Sequence, residues 1–192
     1  MSCKSYTGLS CRYDELMSDY HYNEIIDFIR ANLSGRKKGI DLGCGTGKIA
    51  YELARTGIKM LAVDNSAEML QNAKSIENLT YINEDLNKLV LPHKVDFAVA
   101  MCDVINYLDN IKDFFSKVKS YLKKNGIFIF DISSENKLTA MNGNIYFYDD
   151  DDISYFWKNE LKEKKLIMDI TFFEKTDEQF YRRFDEQHIL NI

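Results

Sequence analysis

The sequence has no apolar run approaching the roughly 20 residues that a membrane-spanning helix requires. Its opening, MSCKSYTGLSCRYDELM, lacks the apolar stretch of a secretory signal. Cysteine is sparse: Cys3, Cys11, Cys44 and Cys102 lie far apart with no Cys-x-x-Cys pair. A disulfide framework or zinc site is therefore not expected, and a reducing cytosol is. Pro92 is the sole proline, and there is neither a repeat nor a low-complexity linker. A basic face is also missing. The net charge is −5 and the pI about 5.3, whereas proteins that grip phosphate backbones carry lysine and arginine patches. This weighs against nucleic acid as a partner. What remains is 192 residues, 45% hydrophobic and 29% charged, enough to bury a core of ordinary size.

Helical and strand patterns then alternate. Tyr22, Ile25, Ile26, Ile29 and Leu33 stand at helical spacing and predict an amphipathic helix ending near Gly35. Gly39 to Leu42 is strand one, followed by a helix from Lys48 to Arg55 with Gly57 as its stop. KMLAVD is strand two; Asn65 or Ser66 can cap the next helix, with Glu68 three residues after Asn65 in a capping-box arrangement. LTYINED is strand three and VDFAVAMC strand four. A helix from Asn110 to Lys123 stops at Gly126, and IFIFDIS is strand five. Such repeats predict a parallel sheet with helices on both faces, a Rossmann-like, doubly wound α/β domain over residues 1–134.

Beyond Ser134 the period changes to two. IYFY, ISYFWKNEL, KLIMDITFFEK and QFYRRFDEQH predict a four-stranded antiparallel lid over residues 135–192. The run Asp149 to Asp152 suits a solvated turn better than a metal loop, whose ligands are spread at set spacings.

The densest chemistry is GIDLGCGTGKIAYELARTG, Gly39 to Gly57. Gly43, Gly45 and Gly47 fall at the carboxyl end of strand one, where open parallel sheets bind ligands. Glycine tolerates positive φ there and admits a ligand close to the main chain. The helix behind offers free N–H groups. The spacing is GxGxG, not the GxGxxG of dinucleotide turns, and Asp41 precedes it. A carboxylate at that corner suits an ammonium better than a pyrophosphate. Asp64 ends strand two, 21 residues after Gly43, where it can accept both ribose hydroxyls. Asp85, after strand three, can accept from an adenine amino group. An ammonium, a ribose and an adenine without phosphate describe S-adenosylmethionine, with S-adenosylhomocysteine as product.

The first 132 residues resemble a class I S-adenosylmethionine-dependent methyltransferase: DLGCGTG, AVDNSAEML and NEDL are similar to that superfamily's first three motifs. YDELM, MCDVINYL and RFDEQH further resemble a bacterial small-molecule subgroup with an antiparallel lid. The resemblance implies that Asp41 and the glycines, with Cys44 between them, hold the methionine end. It gives Asp64, beside Asn65, the ribose, and Asp85 with Leu86 the adenine. Tyr13 and Cys102 would line the cleft. Blander uses stand beside these: Asp64 as a cap, Asp85 as a turn residue, Cys44 and Cys102 as packing.

The resemblance also carries a departure. Class I enzymes have seven core strands, and the five strands plus lid consume the chain up to HILNI. Either the lid strands partly replace the last two, or the chain is shortened. A short chain leaves strand five as an open edge, which predicts a homodimer through that edge or reduced stability. Methyl transfer asks mostly for alignment and exclusion of water. A base helps only where the acceptor is protonated, with His21 and His188 as candidates and Tyr107 to orient the acceptor. No Asp/Asn-Pro-Pro-aromatic motif, Pro-Cys dipeptide or metal-ligand cluster is present, so a small-molecule acceptor is expected. Two rivals remain: a truncated, non-catalytic binding module or subunit, and a nicotinamide-dependent oxidoreductase.

Overall fold

The computed structural model describes residues 21–176 and 180–192; the expectation for Tyr13 lies outside them. The chain forms two compact units, one ending at Ile132 and one running from Ser133 to Ile192. The first is an alternating α/β unit: α1 (Tyr22–Asn32), β1 (Lys38–Leu42), α2 (Lys48–Ala54), β2 (Lys59–Asp64), α3 (Ala67–Gln71), β3 (Leu79–Asn83), β4 (Val95–Ala100), a 3-10 turn (Val104–Tyr107), α4 (Ile111–Tyr121) and β5 (Leu122–Phe130). Its strands pair in parallel in the order β3-β2-β1-β4-β5.

Burial explains why these segments are strands. The last four residues of β1 are all buried, as expected of a strand covered on both faces. Ile26 and Ile29 of α1 and Ile49 and Leu53 of α2 pack with Phe97 and Val99 on one face. Phe114, Val118 and Tyr121 of α4 pack with Ile40, Leu42 and Ala98 on the other. The doubly wound arrangement is therefore observed, with a separate β unit as expected.

Several boundaries differ from the sequence reading. Of the two caps offered for α3, Ser66 serves, accepting from the Met69 N–H at 3.1 Å; Glu68 then stands two residues after it, and the capping box counted from Asn65 does not form. The helix from Asn110 gives way to β5 at Leu122, earlier than Gly126. Between the pairs Val95↔Leu122 and Phe97↔Ile127 the register shifts, so β5 spends five residues where β4 spends two. Asp96 steadies that excursion, taking the Lys123 ammonium at 2.7 Å and the N–H groups of Lys37 and Lys38 at 2.9 Å. Regular pairing resumes at Ile127, directly after Gly126.

The second unit holds α5 (Glu135–Ala140), which the sequence reading did not anticipate, and β6 (Ile145–Asp149), β7 (Ile153–Lys162), β8 (Lys165–Lys175) and β9 (Tyr181–Asn191). These strands form one antiparallel sheet in sequential order. The aromatics pair across it: Tyr146 with Trp157 at 5.1 Å and Tyr148 with Tyr155 stacked at 5.4 Å. The Asp149–Asp152 run is a turn in which Asp150 Oδ1 accepts from the Asp152 and Ile153 N–H groups. No helix among the described residues is long and apolar enough to cross a membrane.

Candidate functional site

The strand order reverses between β1 and β4, the switch point where an open parallel sheet leaves a crevice beyond its carboxyl ends. The glycine turn sits there. Gly43 and Cys44 donate to the Val63 carbonyl at 2.8 and 3.0 Å, folding the turn back over β2. All three glycines have positive φ. Space matters as much as conformation: a Cβ on Gly43 would stand 2.6 Å from Val104 Cγ2, and one on Gly47 2.5 Å from the Tyr81 ring. The protein's own side chains, and not only an incoming ligand, therefore require glycine at these two corners.

Two carboxylates face this turn. Asp41 is only 2% exposed, and its Oδ2 has no hydrogen-bond partner. Burial, reinforced by the nearby Asp64 charge, pushes its carboxyl up to about 7, against the opposing hydrogen bond from the Ala50 N–H. Asp64 bridges two loops: Oδ2 accepts from the Gly45 N–H at 2.8 Å and Oδ1 from the Ser66 N–H at 2.9 Å. Burial raises its pKa while these backbone donors pull it down. The Asn65 N–H acts in the same direction, and a carboxylate has about four lone-pair sites, so Asp64 retains acceptor capacity for a ribose hydroxyl. A buried orphan acceptor, a bare turn and a second half-satisfied carboxylate fit the ammonium and ribose of S-adenosylmethionine.

The other expected residues have distinct places. Cys44 is half-buried, and desolvation with the Asp41 and Asp64 charges holds its thiol well above the ordinary range, which disfavours the thiolate. Asn65 is exposed and Leu86 half-buried. Asp85 Oδ1 accepts from the Asn87 N–H at 2.8 Å, closing its own turn. Cys102 follows β4 with φ of 64°. Tyr107 ends the 3-10 turn. His21 precedes α1, its side chain 79% exposed and 3.5 Å from Glu24. His188 lies in β9 of the second unit, buried, with Nε2 3.4 Å from Glu186 Oε2. The arrangement thus gathers Asp41, Gly43, Cys44, Gly45, Gly47 and Asp64, while His21, Tyr107 and His188 stand on three separate elements.

Three residues at the site escaped the sequence reading. Tyr81 and Val104 close on the glycines. Asp131, just beyond β5, accepts from the N–H groups of Cys102 and Asp103, both at 2.9 Å. Its signal was present, an acid closing strand five as Asp64 closes strand two.

A GxGxG turn with acids at the ends of β1 and β2 at the switch point defines a class I S-adenosylmethionine site. Residues 40–130 match the methyltransferase domain family. "Putative methyltransferase YqeM" of Bacillus subtilis is 35% identical over 95% of this chain and 78% of its own length. A solved S-adenosylmethionine-dependent methyltransferase from Clostridium acetobutylicum is 32% identical, with a TM-score of 0.83 over 97% of this chain and 81% of that one. The sugar N-methyltransferase KedS8 of Streptoalloteichus shares the fold, with a TM-score of 0.83 at 14% identity over 100% of this chain and 80% of its own. The chain belongs to the S-adenosylmethionine-dependent methyltransferases, and S-adenosylmethionine is its cofactor. Nothing found supports a non-catalytic module or a nicotinamide enzyme.

Proposed function

We propose that the protein methylates a small molecule, and that the orphaned, buried Oδ2 of Asp41 beside the glycine turn receives the cofactor's ammonium. When bound, S-adenosylmethionine supplies a methyl group already activated on a sulfonium. The chain's own residues then bind and align. Asp64, held by Gly45 and Ser66, accepts the ribose hydroxyls, with Asn65 beside it. Asp85 and Leu86 flank the adenine, Cys44 stays with the glycines at the methionine end, and Cys102 lines the cleft. Alignment and exclusion of water supply most of the acceleration of an in-line displacement. Tyr107 orients the acceptor. Where that acceptor carries a proton, His188 takes it, its imidazole paired with Glu186; His21 is the more solvated alternative.

The small-molecule class is supported by the absence of a basic face and of nucleic-acid base-methylating motifs, and by a structural relative that acts on a sugar. The sparse, scattered cysteines, with no Cys-x-x-Cys pair, suit a reducing, cytoplasmic setting. Residues 1–134 would then serve the cofactor and 135–192 the acceptor. Incubation with S-adenosylmethionine and a panel of small amines, sugars and phenols, read by mass spectrometry, tests this. At least one acceptor is expected to gain a methyl group; transfer confined to protein or nucleic acid would overturn it.

A further inference from the structure

Three features of the loop after β4 meet at one carboxylate. Cys102 and Asp103 are consecutive non-glycine residues with left-handed backbones, φ 64° and 63°. An L-residue pays for that conformation. Glu163 and Lys164 adopt it where strand pairing closes a hairpin; at residues 102 and 103 it is Asp131 that holds it. Its Oδ2 accepts from the Cys102 N–H and its Oδ1 from the Asp103 N–H, each at 2.9 Å. Successive N–H groups turned to one side form a concavity for an anion, and this one is filled by the chain's own carboxylate. The next residue, Val104, carries the consequence. Its methyl groups press on Gly43 so closely that a Cβ there would stand 2.6 Å from Cγ2. The 3-10 turn that begins at Val104 has Ile105 and Asn106 buried and ends at Tyr107.

We propose that Asp131 is a positioning residue for methyl transfer: by clamping the backbone at Cys102 and Asp103, it sets Val104 against the glycine turn and holds that turn in its cofactor-binding form. The inference rests on the cofactor reading above. It names a residue that acts through the backbone after β4, two strands away from Asp64. When the clamp is lost, residues 102 and 103 relax toward right-handed or extended backbone, Val104 leaves Gly43, and only a fraction of molecules is competent to bind.

The test compares wild type, Asp131→Asn and the double variant Asp131→Asn/Asp103→Gly for S-adenosylhomocysteine affinity by calorimetry, with thermal unfolding in parallel. Asparagine keeps the size but turns an N–H2 toward one of the two donors. It is expected to bind about tenfold more weakly, the factor one left-handed residue's cost implies. Glycine occupies left-handed backbone without that cost, so Asp103→Gly is expected to recover at least about threefold of the lost affinity, without a matching recovery in melting temperature. Wild-type affinity in Asp131→Asn would overturn the proposal. So would a loss that glycine fails to repair, since the carboxylate would then act other than through this backbone. A folded wild type that binds no S-adenosylhomocysteine would overturn the cofactor reading, and this inference with it.

Discussion

Asp41 stands at the conflict between folding and binding. Its carboxylate is buried without a partner for Oδ2, and its pKa is pushed up to about 7 from 3.8. Between those two values the folded chain holds a proton that the unfolded chain has released. Asp41 therefore stabilises the fold at low pH, and this contribution is lost as pH rises through about 7. Binding has the opposite sign, because an ammonium requires the ionised form. Affinity for S-adenosylhomocysteine is expected to rise about tenfold from pH 6 to pH 8 and then level off. Asp41→Asn is expected to raise the melting temperature at pH 8 while weakening binding and flattening its pH dependence. A wild-type affinity independent of pH across that range would contradict the assignment. Residue identity alone located Asp41 and Asp64, because their places at strand ends follow from hydrophobic runs. Asp131 likewise follows an apolar run, but its role could not be read there: its partners lie about thirty residues earlier, so the sequence marks the acid and not what it holds.

At the scale of elements, the strands were legible wherever burial on both faces made an apolar run, as in KMLAVD, which is β2 from end to end. The lid strands were equally legible from their period of two, and all four are found. Legibility failed where local chemistry was overridden. The β5 excursion beside Asp96 depends on contacts with Lys37, Lys38 and Lys123, and α5, Glu135–Ala140, is too short for a helical period to show. The glycine turn depends on neighbours as well. Gly43→Ala is expected to cost about 2 kcal/mol or more, combining left-handed backbone with the clash against Val104. Val104→Ala in that background removes the clash and leaves the backbone cost. Urea unfolding should therefore show the double variant less destabilised than the two singles summed; additivity within about 0.5 kcal/mol would contradict the contact.

At the scale of the molecule, β5 is an end strand of the parallel sheet, and Phe130 at its end and Ile132 two residues beyond it are exposed. A strand that ends the described sheet, with apolar flanks, invites pairing, and self-association of two copies through it is our proposal for the assembly. Light scattering is expected to show a dimer whose population grows with concentration; a monomer throughout would contradict it. The central claim concerns the pocket at the sheet's switch point. Calorimetric titration with S-adenosylhomocysteine of wild type and Asp64→Ala tests it most directly. Affinity on the order of micromolar in the wild type, weakened about 100-fold in the variant as lost hydrogen bonds to a charged group imply, is the predicted result. Folded wild-type protein that binds none, or a variant that binds as well as wild type, would contradict it.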